Sequence, residues 1–181
     1  MLDDPFGSGV WNVAQALELA AQERWDITRI TSWLSLGGTI ESEEQLLWLR
    51  GLRVTHVICV ASELDEASLC ARHGFGFYQV HWPDDGKHKP PQDFLDALAW
   101  VEAEVAALAR KRRKAHFFVH CFAGAYRSPL LATFLLAALE GLSADEAYAL
   151  LRERREYVSA FEEPEYRESC LAALATAQAG R

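Results

Sequence analysis

The apolar and polar positions of this chain change period many times, and each change marks an element. Trp11 to Arg24 sets Val13, Leu17 and Ala20 or Ala21 on one side of a helix, and Glu43 to Leu52 does the same with Leu46, Leu47 and Leu49. Val54-Thr55-His56-Val57-Ile58-Cys59-Val60 is nearly continuous in apolar character and rich in β-branched residues, as a strand buried on both faces should be. Ile27 to Leu36 reads as one or two short strands ending at Gly37-Gly38, and Gly76 to His81 and Ala115 to His120 read as two more. Between them the pattern predicts a short helix from about Leu64 to His73, closed by Gly74, and a longer one over Gln92 to Arg110 with Pro91 near its first turn. Ser128 to Leu139 is apolar all round, which predicts a central helix enclosed by the rest of the fold. Ser143 and Glu146 have capping-box spacing and open a helix to about Arg155, and a last helix covers Glu165 to Ala177.

Strand runs alternating with helical patterns imply an α/β fold, a central and mostly parallel twisted sheet of about four or five strands flanked by helices. The 181 residues suit one domain spanning 1–181, with a helical extension over 1–26 and a C-terminal helix within 159–181. No apolar run approaches the roughly 18–20 residues of a membrane span, so no membrane partner is expected. A net charge of −8 with a pI near 5.2 argues against nucleic-acid binding by general electrostatics. Cys59, Cys70, Cys121 and Cys170 have neither metal-ligand nor disulfide-framework spacing, and Met1-Leu2-Asp3-Asp4 is no basic region leading into an apolar run. A reducing, cytoplasmic setting is the expectation. His56, His81, His88 and His116 form no ligand cluster in the sequence, so no metal or other cofactor is expected. The basic run Arg110 to Lys114 reads as a solvated helix end that complements the dipole rather than a binding patch.

His120-Cys121-Phe122-Ala123-Gly124-Ala125-Tyr126-Arg127-Ser128 turns the argument from architecture to chemistry. It joins a strand to an apolar helix and sets Cys121 and Arg127 six positions apart across a glycine-containing loop. Strand, tight loop and helix in that order gather backbone N–H groups around one point at the positive end of a helix, which is an anion site. Gly124 permits a conformation that other residues resist, and Arg127 adds a planar charged fork able to hold two phosphate oxygens. The same field acts on Cys121. A thiol so placed falls from about 8.5 to roughly 3.5–7.5 and becomes a prepared nucleophile. Attack on phosphorus would form a phosphocysteine for water to hydrolyse. Cys59, Cys70 and Cys170 lack these companions and read as small buried apolar residues.

The loop resembles the His-Cys-x2-Gly-x2-Arg-Ser/Thr signature of cysteine-dependent protein tyrosine phosphatases, and of their short dual-specificity branch in particular, with every fixed position matched. The resemblance implies a phosphatase-like fold in which Cys121 is the nucleophile and Arg127 binds substrate and transition state. Ser128 would stabilise the thiolate as it leaves, and His120 would tune loop and thiol through hydrogen bonds. Phe122, Ala123, Gly124, Ala125 and Tyr126 would wrap the phosphate, or a sulfate or vanadate in its place. Looser likeness extends to Ile27-Thr28-Arg29-Ile30, Leu34-Ser35-Leu36-Gly37, Leu52 to Ile58 and Gly141 to Ala147 with Arg152 and Arg155, so about 27–158 is covered.

A leaving alkoxide or phenoxide needs a proton, and Trp82-Pro83-Asp84-Asp85-Gly86 resembles the acid-bearing loop of that family. Asp84 is the expected general acid and then base, with Asp85 in reserve. The expected activity is hydrolysis of a phosphorylated protein or a small phosphoester. A phosphate-recognition module without turnover and a rhodanese-like sulfur transferase remain as alternatives. The variable loop positions carry no lysine, which disfavours a polyphosphorylated substrate. Cys59, on a neighbouring strand, is the one cysteine that could form a protective disulfide with Cys121 under oxidation.

Overall fold

The computed structural model describes residues 26–180, so the helix expected over Trp11 to Arg24 lies outside the described residues. Five short strands form one sheet: β1 (Ile27–Arg29), β2 (Leu34–Gly37), β3 (His56–Cys59), β4 (Gly76–Gln79) and β5 (Phe117–His120), in the order β1-β2-β5-β3-β4. Only β1 runs antiparallel, against β2; the other three pairings are parallel. The connecting helices are α1 (Glu43–Gly51), α2 (Ala67–Arg72), α3 (Pro91–Arg110), α4 (Arg127–Glu140), α5 (Ala144–Arg154) and α6 (Pro164–Ala179), with a 3-10 turn at Ala160–Glu162.

Strand alternation and burial on both faces explain why the central strands are apolar apart from one histidine each, His56 and His120. Phe117 and Val119 of β5 and Ile58 of β3 enter the larger core with Phe94 and Val101 of α3, Leu130 and Phe134 of α4, and Leu151 of α5. Their neighbours Phe118 and Val57 point the other way, into a smaller core with Leu46, Leu49 and Phe75. Both faces are covered, so no position on these strands is left for a polar residue facing water. Helix α4 is buried along most of its length, as its all-round apolar sequence requires, and ends at Gly141 in the left-handed conformation. Capping boxes open α5, with Ser143 and Glu146, and α1, with Ser42 and Gln45.

Three strands and one helix are shorter than the sequence pattern predicts; the strands expected over Gly76 to His81 and Ala115 to His120 are Gly76–Gln79 and Phe117–His120. The strand expected over Val54 to Val60 narrows to His56–Cys59, because its partner β4 begins only at Gly76, opposite His56. The helix expected from Leu64 begins at Ala67, with Glu66 as its cap residue. The basic run at 110–114 is exposed, and Arg112 takes a positive φ of 56° there.

The sheet places the carboxyl ends of the parallel strands β3, β4 and β5 along one edge. In open α/β sheets ligands bind outside that edge. The segments that leave it are 60–66, 80–90 and 121–126.

His116, just before β5, is 4% exposed and its Nε2 lies 2.9 Å from Ser35 Oγ. Burial, helped by the charge of Arg29, lowers its pKa to about 4 from 6.5. Between those values the unfolded chain binds a proton that the folded chain refuses, so stability falls as pH drops through this window. The loss should reach about 3 kcal/mol, and His116→Asn should flatten that part of the curve in urea titrations at successive pH values.

Candidate active site

The 121–126 loop is shaped by what holds its carbonyl groups. Phe122 O accepts from Thr39 N at 3.0 Å and Ala125 O from Ser159 N at 2.9 Å. Gly124 O accepts from Arg155 Nε at 3.0 Å, and Ala123 O from Arg155 Nη2 at 3.5 Å. A planar trans peptide points its C=O and its N–H in opposite directions. With four successive carbonyls drawn outward, the N–H groups that follow them turn into the concavity, beside the N-terminus of α4. Gly124 has φ of 67°, and a Cβ there would meet Arg155 Nη2 at 2.3 Å and Gly37 O at 2.5 Å. The glycine is required both by its torsion angle and by lack of space.

Arg155 is therefore part of the site, although the sequence reading placed it only in a looser stretch of likeness. It is 2% exposed and paired with Asp26 through contacts of 2.6 and 2.7 Å. Burial pushes the Asp26 carboxyl up, but Arg155 and Tyr157 outweigh it and hold the group below its usual range.

Cys121 lies in the floor of the loop, 3% exposed, and its Sγ accepts a hydrogen bond from Ser128 Oγ at 3.3 Å. Arg127, 1% exposed, is gripped by Glu63 with Nη1 and Nη2 at 2.8 and 2.6 Å from the two carboxylate oxygens. Its Nη1 also donates to Trp82 O at 3.0 Å and its Nη2 to Asp84 Oδ2 at 3.3 Å, while Nε has no hydrogen-bond partner among the described residues. The guanidinium is thus aimed by protein on one edge and retains a free donor on another. The hydrogen bond from Arg127 holds the Glu63 carboxyl below its usual range. Glu63 escaped the sequence reading; its signal was an acid four residues beyond β3, the strand beside β5.

Of the two candidate acids, the structure brings Asp84 to Arg127 and Asp85 elsewhere. Asp85 accepts from Lys89 Nζ at 2.5 Å and from Lys87 N at 3.1 Å, and the Lys89 contact lowers its pKa. Lys89 is 4% exposed, donates also to Pro83 O at 2.9 Å and stands over the Tyr166 ring. It clasps the 83–85 segment against α6. Trp82 anchors the near end, with its indole N–H on Asp93 at 2.8 Å and its ring against Phe94. Asp84, Asp85, Gly86, Tyr126, Glu163 and Tyr166 line a cleft of about 270 Å³ beside the loop. Phe122 and Tyr126 are exposed on the loop, and Tyr126 also lines the cleft. His88 leans toward Glu165 and Glu168 instead.

His120 is fully buried, with Nε2 at 2.8 Å from Glu66 Oε2 and Nδ1 at 3.3 Å from Cys121 O. Ligand atoms of His120, Glu66 and Cys59 lie within 4.8 Å of one another, a cluster that the sequence spacing did not show. Two ligands at about 2.0 Å from one tetrahedral metal stand about 3.3 Å apart. At 2.8 Å the histidine and the carboxylate are an ion pair. Cys59 packs directly with Ala61 and Cys121, and the four cysteines are free. Burial pushes the Cys70 and Cys170 thiols up to about 12, which makes them inert.

A Cys-x5-Arg loop at the carboxyl edge of a mostly parallel sheet defines the class: the cysteine-dependent tyrosine phosphatase superfamily. Residues 38–164 match the dual specificity phosphatase catalytic domain, and the chain belongs to that family. It is 32% identical over 111 residues to the protein tyrosine phosphatase PRL-1 of Leishmania major, an alignment that takes in 59% of this chain and 60% of that protein's length. In structure it resembles PTPMT1 crystallised with PI(5)P, with a TM-score of 0.73 at 17% identity, covering 84% of this chain and 97% of the other. Human DUSP28 gives a TM-score of 0.69 at 22% identity, covering 85% of this chain and 99% of the other.

Gly124→Ala should weaken vanadate or phosphate binding by at least about tenfold, since the added methyl carries a left-handed strain and displaces either Arg155 or Gly37. Calorimetric titration of the folded variant measures it.

Proposed function

We propose that this chain hydrolyses phosphomonoesters, phosphotyrosine first and phosphoserine or phosphothreonine as well, by way of a phosphocysteine on Cys121. The observation that carries this reading is the convergence on one loop of a cysteine, a hydroxyl 3.3 Å from its sulfur, and an arginine that a carboxylate on another loop meets at 3.3 Å.

The phosphate enters with its oxygens toward the inward N–H groups and Arg127, whose buried Nε has no hydrogen-bond partner among the described residues and would donate to one of them. The Cys121 sulfur attacks phosphorus as the ester oxygen departs. Asp84, in its acid form, gives that oxygen a proton, and the S–P bond replaces the O–P bond. Asp84, now a base, takes a proton from the water that attacks the phosphocysteine. Ser128 donates to the sulfur as it leaves, which stabilises the returning thiolate. The loop and Arg127 hold the transferring group throughout, so positioning and electrostatics supply most of the acceleration.

A recognition module without turnover would have no use for Asp84 and Ser128 in these positions. Sulfur transfer would need neither. PTPMT1 was crystallised with a phosphoinositide, but here the loop positions 122, 123, 125 and 126 carry no cation. Asp84, Asp85 and Glu163 line the adjoining cleft, a poor setting for a second phosphate. An aromatic leaving group suits the rings of Tyr126 and Tyr166 in that cleft better. The four free thiols are in keeping with a reducing, cytoplasmic setting.

Hydrolysis of p-nitrophenyl phosphate, inhibited by vanadate and indifferent to chelator, is the direct test. Cys121→Ser should abolish it, and full activity in that variant would sink the mechanism. Tight phosphate binding without turnover would favour the recognition module, and thiosulfate-to-cyanide transfer would favour rhodanese chemistry.

On alkyl phosphates, whose leaving group needs protonation, Asp84→Ala should lower kcat by about 10²–10⁴-fold. Lys89→Met should lower the same rate by about tenfold through misplacement of Asp84. Asp85→Asn should have a smaller effect than Asp84→Ala.

A further inference from the structure

His120, the residue before Cys121, is shut away from water. Its Nε2 faces the Glu66 carboxylate at 2.8 Å and its Nδ1 faces the Cys121 carbonyl oxygen at 3.3 Å. The carbonyl can only accept, so Nδ1 carries a hydrogen, and opposite an ionised Glu66 carboxylate the ring is favoured as the imidazolium, with a hydrogen on Nε2 as well. The ring is held flat against Phe118, 5.2 Å between centroids and 9° between planes. Glu66 is itself 6% exposed, at the cap of α2. The His120 N–H is not aligned on the carboxylate well enough for a hydrogen bond, and both Glu66 oxygens lack hydrogen-bond partners among the described residues. What joins the two is the attraction of opposite charges in a dry site, where it is strong.

We propose that Glu66 is a positioning residue for the nucleophile: its buried carboxylate keeps His120 a cation one residue before Cys121, and that cation holds the sulfur in its thiolate form. The proposal rests on the phosphatase reading only in taking Cys121 as the nucleophile. The groups that face His120 are few. Cys59 Sγ on β3 lies within 4.8 Å of the interacting His120 and Glu66 atoms, Cys121 follows His120 in the chain, and Cys70 on α2 acts on Glu66 and Cys59. Arg127 bears on Cys121 from α4. Burial opposes charge on His120, but Cys59 and Glu66 outweigh it and push the imidazole up to about 10. Without the Glu66 charge, one of the two groups that offset burial is gone and the ring holds its proton less tightly. The positive charge one residue before Cys121 would weaken, and on this proposal so would its support for the nucleophile.

Alkylation of Cys121 by iodoacetamide, followed across pH in the full chain, tests this. Glu66→Gln should cut the rate near pH 6 about tenfold, an upward move of the midpoint by about one unit. Glu66→Asp should recover most of it. A loss of packing alone would lower the melting temperature without moving the midpoint. In the unaltered protein, ring-nitrogen NMR should find His120 still an imidazolium between about pH 5 and pH 9. That measurement decides the matter even where Glu66→Gln does not fold. An unchanged alkylation profile in folded Glu66→Gln, or a His120 that titrates between pH 6 and 7 in the unaltered protein, would overturn the proposal. Neither readout needs turnover, so a chain that hydrolyses no phosphoester defeats the phosphatase reading and leaves this result standing.

Discussion

The guanidinium of Arg155 is the point on which the rest of this molecule turns. A charge with 2% of its surface exposed must be paired and hydrogen-bonded or it is heavily destabilising. Asp26 supplies the pairing, and the carbonyls of Ala123 and Gly124 supply further acceptors. Those carbonyls are the ones that must face away from the ligand if the loop is to present N–H groups to it. Satisfying one buried side chain and opening the anion cradle are the same event. Asp26 directly precedes β1, so the single antiparallel strand of the sheet has its place near the site as the segment that brings the counter-charge of Arg155.

Arg127 is organised by similar rules to a different end. Glu63 and Trp82 fix its outer edge from two loops, and Nε has no hydrogen-bond partner among the described residues. The three segments involved leave neighbouring strands at one edge of the sheet, so that residues 64 and 43 positions away in sequence reach a common cation. Rigid strands with short exits hold this arrangement more tightly than one long loop could.

Much of this was legible in the sequence. The strands β3, β4 and β5, the enclosed helix α4, the capping box of α5 and the Cys-x5-Arg loop each rest on local pattern, a period, a cap or a fixed spacing. The residues that were not legible share a property. Glu63, Glu66 and Lys89 do their work through side chains that contact partners from other segments, and Arg155 meets Asp26 across 129 positions. Nothing in the local sequence of an acidic or basic residue says whether it is solvated or buried against an opposite charge. The choice between Asp84 and Asp85 is of the same kind. Adjacent in sequence and alike in chemistry, they are told apart only by Lys89, which binds one and leaves the other beside Arg127.

Trp82 closes the circuit between these parts. Its carbonyl oxygen accepts from Arg127 while the chain beyond it carries Asp84, so in the proposed mechanism the arginine that would receive phosphate also holds the base of the segment that would supply the proton. If an anion were to re-aim Arg127, the hydrogen bonds to Trp82 O and Asp84 Oδ2 would tie that change to the position of the 82–85 segment, and by thermodynamic reciprocity that position would alter affinity for the anion by the same factor. On the proposed mechanism, phosphate binding and the placing of the acid would then be one linked equilibrium, coupled through two hydrogen bonds of a single guanidinium.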